Sequence, residues 1–317
     1  MPAASDLDDV NAVLPCADID DTVVFFSRLG LRLEVIFPAD DPAVAIVAGH
    51  GLRLRLQRDA SLPSRVLAPL SASAWIGRGG EWKRGRAGMR YRDLVPDRLG
   101  GHLVASQIRI DDGGPVPDYV HWHEIDFQLI YCRHGWVRVV YEDQGEPFVL
   151  QPGDCVLQPP RIRHRVLESS PGLEVIELGC PALHETRVDH ELELPTSTLR
   201  PDRDFSGQRF VRHVCAHAAW QDDEVHGFAA RELGIAQATS GRARAQVLRA
   251  RPGASIQRIV EGALAFDFVL AGTVTLAQGD AAPQPLTCDD VFVAPAGCAQ
   301  RMFDCSDDLE LLEIVLR

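Results

Sequence analysis

The sequence lacks the features of several protein classes. It contains no run of about 18 uninterrupted apolar residues, so no segment reads as a membrane-spanning helix. The first ten residues are acidic, whereas a secretory signal has basic residues before an apolar run. We therefore expect a cytoplasmic protein with no membrane partner.

Long basic runs are also absent. The 317 residues carry a formal net charge of -13, and the most basic stretch, residues 82–92, is short. An acidic balance of this size repels the phosphate backbone of nucleic acids. We therefore expect no nucleic-acid partner.

The eight cysteines are scattered and show no Cys-x-x-Cys spacing. Thiolate zinc sites and redox pairs commonly carry that spacing, so the sequence signals neither of them. We interpret the cysteines as reduced and mostly buried thiols. The apolar content of 46% is ample for real cores, and the length is enough for two or three domains.

Four metal-ligating side chains are present at informative spacing: His121, His123, Gln128 and His164. In an extended strand alternate side chains share a face, so His121 and His123 point the same way. His164 follows a Gly153-Asp154 turn. Imidazole suits several first-row metals. The pattern therefore predicts one divalent transition metal, with Fe(II) favoured and Zn, Ni, Mn and Cu as alternatives.

The competing interpretation is that these histidines are ordinary core or surface residues without metal. Three of them at motif spacing, with glycine and proline punctuation, favour the metal site. Gln128 either coordinates through its side-chain oxygen, which we favour, or hydrogen-bonds a bound water. Glu124, Asp126 and Glu168 are the candidate catalytic residues for proton transfer. For Glu124 and Asp126 the alternatives are side chains that orient the metal ligands and solvated loop charges, of which we favour the loop charges.

These residues resemble the two cupin motifs over residues 89–180. The matching positions are, in order, Gly114, His121, His123, Gly135, Gly153, Pro159 and His164. Two departures stand out, because Gln128 occupies the position of the usual glutamate ligand and Arg161 replaces the usual glycine before the last histidine. The resemblance implies an antiparallel jelly-roll barrel.

A fainter copy follows over residues 228–317. The segment Arg92-Asp93-Leu94 with Gln107 recurs as Arg231-Glu232-Leu233 with Gln246, at a constant offset of 139. Alignment of Gly272 with Gly135 sets four non-ligand residues opposite the predicted ligands: Arg258, Val260, Ala265 and Gln300. The pattern predicts a degenerate, metal-free second cupin that closes the assembly, with an anion-binding effector pocket at Arg258 as the alternative.

The first 58 residues read as strand, helix and three strands, and residues 21–31 resemble half of a glyoxalase or vicinal-oxygen-chelate module. The predicted fold is mainly β, with two cupin (jelly-roll, double-stranded β-helix) barrels preceded by a small α+β βαβββ module. The expected divisions are 1–58 for the glyoxalase-like module, 59–88 for a linker, 89–190 for the metal-binding cupin, 191–227 for a connector and 228–317 for the second cupin. We expect the module either to pair two chains into a homodimer or to be vestigial.

The predicted ligand set also bears on function. Three imidazoles and one amide leave the charge of a dication uncompensated, which favours a small anionic substrate with two chelating oxygens. With Fe(II) such a site suits a dioxygenase, and bicupins with one three-histidine site resemble ring-cleaving dioxygenases. The alternatives are an isomerase or cyclase that stabilises an enediolate, and a non-catalytic cupin that binds a small molecule.

Overall fold

The computed structural model describes residues 7, 9–58, 74–223 and 227–317. These residues form four β-sheets of ten, seven, seven and four strands, with few and short helices. Among the described residues, the helices are all too short or too polar to cross a membrane. The mainly β prediction is confirmed.

The amino-terminal unit has the expected βαβββ order. Its elements are β1 (Ala12–Pro15), α1 (Ile19–Arg28), β2 (Arg32–Phe37), β3 (Val44–Gly49) and β4 (Leu52–Gln57). The helix begins after Asp18, whose carboxylate accepts a hydrogen bond from the backbone N–H of Asp21 at 2.8 Å. Strand β1 pairs in parallel with β4, which gives the order β1-β4-β3-β2. The resemblance to the glyoxalase family and the homodimer both stay predictions.

The segment expected to be a linker, residues 59–88, holds structure where it is described. Residues 59–73 lie outside the described residues. The rest contains β5 (Trp75–Arg78), β6 (Lys83–Arg84) and a 3-10 turn (Arg86–Gly88). Strand β5 adds to the second barrel and β6 pairs with a strand of the first. The glycine-rich composition of the segment does not predict these pairings, because strands at the edges of the two barrels, rather than a pattern of its own residues, order it.

The first barrel follows directly. Its elements are β7 (Arg90–Asp93), a short helical turn α2 (Arg98–Gly101), β8 (Val104–Ile110), β9 (Gly114–Pro115), β10 (His121–His123), β11 (Phe127–His134), β12 (Val137–Tyr141), β13 (Phe148–Leu150), β14 (Cys155–Leu157), β15 (His164–Ser169), β16 (Leu173–Cys180) and β17 (Thr186–Val188). One sheet runs β17-β10-β15-β12-β13 and the other runs β14-β11-β16-β8-β7. Strand β17 also pairs with β2, so the amino-terminal sheet continues into the first barrel.

The second barrel repeats this plan. Its elements, with the connector before them, are β18 (Val211–His213), a 3-10 turn (Cys215–His217), β19 (Gln221–Asp223), β20 (Phe228–Glu232), α3 (Ile235–Ala238), β21 (Ala243–Ala250), β22 (Ile256–Ile259), β23 (Leu264–Ala271), β24 (Thr273–Gln278), β25 (Gln284–Thr287), β26 (Asp290–Pro295), β27 (Ala299–Phe303) and β28 (Glu310–Leu316). The sheets run β19-β20-β21-β28-β23-β26-β5 and β22-β27-β24-β25. The largest core cluster contains side chains of both barrels, so the barrels pack against each other.

Strand pairing refines the internal repeat. Residues Glu177 and Glu313 occupy equivalent places, and Glu177 pairs with Ser106 while Glu313 pairs with Gln246. The equivalence of Gln107 with Gln246, predicted from the constant offset, is therefore wrong by one residue. A one-residue shift moves a side chain to the other face of a sheet, so Gln246 faces the lumen while Gln107 does not.

Candidate metal centre

The three histidines meet at one end of the first barrel. His121 and His123 lie two residues apart on β10, and His121 pairs directly with His164 on β15. All three side chains are buried, and one ligand atom of each lies within 4.8 Å of those of the other two. The sequence prediction of a converging histidine triad is thus realised in the fold.

Each imidazole is held through its Nδ1 atom. His121 Nδ1 donates to the carbonyl of Tyr119 at 2.8 Å, and His164 Nδ1 donates to the carbonyl of Ile162 at 3.0 Å. His123 Nδ1 pairs with the hydroxyl Oγ1 of Thr186 at 2.8 Å. A proton held on Nδ1 leaves the Nε2 lone pair free, which is the arrangement that metal-binding histidines show.

Burial keeps the triad neutral. It lowers the pKa of His164 to about 4, and it lowers the pKa of His121 and His123 well below the usual range. A metal ligand must be the neutral imidazole. The three side chains are therefore in the binding form at neutral pH.

The donor set fits a divalent metal. Nitrogen donors about 2.1 Å from one ion lie about 3–4 Å apart, so the three ligand atoms, which lie within 4.8 Å of one another, need only move closer together to share an ion. The Nε2 atoms of His121 and His164 accept from N–H donors, Arg86 Nη2 at 2.9 Å and Gln158 Nε2 at 3.1 Å. The Nε2 lone pairs of these two histidines therefore point at N–H donors inside the cavity. A bound cation would replace those donors as the partner of each lone pair.

Gln128 lies beside the triad within a chain of amides. Its Oε1 accepts from Gln158 Nε2 at 3.1 Å, and its Nε2 donates to Glu177 Oε1 at 2.5 Å. Tyr141 donates to Gln158 Oε1 at 2.9 Å. Coordination by Gln128 stays a prediction. It requires that Gln128 Oε1 give up its hydrogen bond from Gln158 Nε2 and contact the ion instead.

The three carboxylates expected to move protons are placed away from this cavity. Glu124 forms an ion pair with Arg161 at 2.8 Å, and Asp126 is exposed. Glu168 pairs with Arg138 at 3.1 Å between half-exposed side chains. None of the three lines the cavity.

Sequence reasoning missed several polar residues that line the cavity, among them Arg86, Gln158, Glu177 and His184. Burial raises the pKa of Glu177 and lowers that of His184. Arg86 is buried and its Nη1 donates to the buried carboxylate of Asp118 at 2.6 Å. The cavity therefore contains a fixed cation beside the triad.

The amino-terminal unit also contributes to the cavity wall. Pro38, Ala39 and Asp40 line the cavity, and Asp40 forms an ion pair with Arg98 of the first barrel. The unit is thus part of the site rather than an appendage. Nothing in the sequence pattern of residues 1–58 signals this contact.

The equivalent position of the second barrel is filled by an ion-pair network. Arg258 pairs with Gln300, as His121 pairs with His164. The guanidinium of Arg258 contacts Asp267 Oδ2 at 2.7 Å, the carboxylate of Glu313 and Gln300 Oε1 at 2.7 Å. Arg258 thus meets carboxylates of its own barrel, which supports the structural interpretation over an anion pocket.

The comparisons with known proteins agree with this geometry. A model of the AraC-like ligand binding domain matches residues 105–174. A search of curated proteins gives no match. The solved structures that resemble the chain include Bacillus subtilis oxalate decarboxylase, with a TM-score of 0.58 and 12% sequence identity. The match covers 80% of this chain and 79% of that chain.

The fold is that of a bicupin. A second structure of the Bacillus subtilis enzyme, described for its Mn(II) centres, has TM-score 0.57 and 14% identity, with 80% of each chain covered. Its R92A mutant gives the same scores and coverage. Identities this low establish the fold. The predicted bicupin architecture is therefore confirmed.

Replacement of Thr186 by valine is expected to weaken metal binding by this bicupin about 10- to 100-fold, because the hydroxyl that orients His123 is lost. The measurement is a competition titration of Co(II) or Zn(II) against a chelator. Thr239→Val, at another buried threonine in the second barrel, is the matched control and should leave affinity unchanged. Equal affinities of the Thr186→Val and parent proteins would show that this hydroxyl does not orient a ligand.

Proposed function

We propose that the chain is a metal-dependent enzyme that acts on a small anionic substrate with two chelating oxygens. The observation that carries the proposal is the triad of Nε2 atoms, each anchored through Nδ1, at the end of a mostly apolar cavity. A bound divalent metal supplies Lewis acidity and coordination positions for substrate oxygens. The Mn(II) centres described for the Bacillus subtilis oxalate decarboxylase support a divalent ion and an acid substrate.

The chain's own residues supply the rest of the chemistry. The guanidinium of Arg86 is a buried cation that can bind a carboxylate through paired N–H donors. The aliphatic walls exclude water and strengthen these electrostatic contacts. The carboxyl of Glu177 is positioned to hold a proton at Oε1 or Oε2, since it lines the cavity next to Gln128.

Within this proposal we favour a dioxygenase with Fe(II), since three neutral nitrogen ligands leave positions for both substrate and dioxygen. The second candidate is a proton-transfer reaction, an isomerisation or cyclisation. It is favoured by Glu177, because a carboxyl inside the cavity serves that chemistry directly. A non-catalytic binding role is the third candidate, and the match to a ligand-binding domain supports it.

Oxygen-electrode measurements on Fe(II)-loaded protein separate the three. With a panel of 2-oxo acids, 2-hydroxy acids, diketones and catechols, we expect oxygen uptake that requires Fe(II) and stops in His123→Ala. Substrate loss without oxygen uptake, with Zn or Mn and abolished by Glu177→Gln, would replace the dioxygenase with the proton-transfer enzyme. Tight binding without turnover for any metal would contradict an enzymatic role.

A further inference from the structure

The cavity continues from the triad into an aliphatic floor. Its volume is about 110 Å³. Much of its lining is aliphatic and comes from both sheets, including Ile108, Ile110, Ile130, Val137, Val139 and Val175. An apolar cavity of about 150 Å³ is large enough for benzene, and this smaller one has to hold the head group of the substrate as well, so it suits an alkyl group of about two carbons.

The second barrel provides an internal comparison, because strand pairing identifies equivalent positions. Val139 pairs with Val166 on β12 and β15, and Leu276 pairs with Met302 on β24 and β27. Val166 lies two residues after His164 on its strand, and Met302 lies two residues after Gln300 on the equivalent strand. Val139 is therefore equivalent to Leu276, and Val166 to Met302.

A third position follows the same rule. Val175 pairs with Ile108 in the first barrel, and Leu311 pairs with Leu248 in the second. Val175 lies two residues before Glu177, and Leu311 lies two residues before Glu313. Val175 is therefore equivalent to Leu311.

At all three positions the first barrel has valine and the second has a larger side chain. Leu276, Met302 and Leu311 are fully buried and belong to one core cluster. Their extra atoms fill the lumen of the second barrel, as close packing of protein interiors requires. The three valines line the cavity of the first barrel, which His123 and His164 also line.

We propose that this floor binds the side chain of the substrate, and that the substrate is a 2-oxygenated carboxylate bearing a short alkyl group of about two carbons. The carboxylate and its neighbouring oxygen would lie at the triad and Arg86, and the alkyl group at the valines. The inference rests on the proposed function, because the same site binds the head group. It excludes a substrate as small as a bare two-carbon acid as the best fit.

The test compares two acids with the same head group, glycolate and 2-hydroxybutanoate, by calorimetric titration of the Mn(II)-loaded protein. Burial of two more carbon atoms is expected to make the longer acid bind about 10-fold more tightly. The variant Val139→Leu/Val166→Met/Val175→Leu carries the second barrel's residues and should lose most of that preference. Its affinity for glycolate should stay within about 2-fold, because its head-group contacts are unchanged.

Two further proteins complete the design. Val175→Leu alone adds one methylene and should give a preference for the longer acid between those of the parent and the triple variant. It keeps the test valid if the triple variant does not fold. Val149→Leu, on the opposite face of β13 and partly exposed, is the matched control and should bind as the parent does. Metal content is measured in every sample.

The outcomes distinguish the two proposals. Equal affinities for the two acids in metal-loaded parent protein, or an undiminished preference in the triple variant, would overturn the assignment of the floor while leaving a metal-dependent function intact. A parent protein that retains no more metal than His123→Ala would remove both proposals.

Discussion

Replacement of His123 by alanine is expected to reduce bound metal from about one ion per chain to a trace, and to abolish activity with it. A site of three imidazoles that loses one keeps two strong donors, which is fewer than the three or four protein ligands of ordinary metal sites. The result is measured by elemental analysis after dialysis against trace metal, together with turnover of whichever substrate the panel identifies.

The fold should survive this change. The imidazole is neutral at neutral pH, so its removal leaves no buried charge, and the expected cost in the free energy of unfolding is about 1–3 kcal/mol. The second barrel has a core cluster made of its own residues, and the side chain of His123 is not part of it.

Two control variants separate ligand loss from general damage. His134→Ala removes a histidine of the same barrel whose side chain is 61% exposed, and it should retain metal. Val260→Ala makes a comparable truncation at the equivalent buried position of the second barrel and should also retain metal. Metal held by His123→Ala at the level of these controls would contradict the ligand assignment.

The histidine triad was predictable from sequence because it depends on local rules. Strand alternation places His121 and His123 on one face, and the glycine and proline turns bring His164 alongside them. The antiparallel jelly roll of the first barrel was predictable as well, because turn residues separate short apolar runs there.

The position of Glu168 could not be predicted from strand alternation. Alternation along β15 would place Glu168 on the same face as His164 and Val166. The pairing shifts between Val139–Val166 and Arg138–Glu168, so a β-bulge turns Glu168 outward and leaves Ser169 buried. A bulge is a backbone feature that the residue pattern did not reveal.

Glu177 was missed although the sequence carried a signal for it. Residues 173–178 read LEVIEL and residues 309–314 read LELLEI, so the internal repeat marks Glu177 and Glu313 as equivalent. Glu313 proves to be buried in the second barrel, and Glu177 lines the cavity of the first. Arg86 had no such signal, because it reaches the cavity from a glycine-rich segment that only the folded barrel positions.

Replacement of Arg258 by leucine is expected to destabilise the second barrel by about 3–5 kcal/mol at pH 7, because it leaves buried carboxylates without their cation. The side chains of Asp267 and Glu313 are 0% and 2% exposed, and both contact the guanidinium. Urea denaturation gives the free energy of unfolding. Arg244→Leu is the matched control, since Arg244 contacts Glu313 from a side chain that is 38% exposed and should cost about 1 kcal/mol or less.

The deficit of Arg258→Leu should narrow as the pH falls from 7 towards 5. Burial raises the pKa of Asp267, while Arg258 acts to lower it, so removal of the arginine raises it further. A carboxyl with a raised native pKa binds its proton in the folded protein at a pH where the unfolded chain has lost it, so acid stabilises the fold relative to pH 7. Replacement of Arg258, Asp267 and Glu313 together by leucine should recover much of the loss, because no buried charge remains. Parent-like stability of Arg258→Leu at pH 7 would mean that the arginine does not neutralise this lumen, and an anion-binding role at Arg258 would then be the better interpretation.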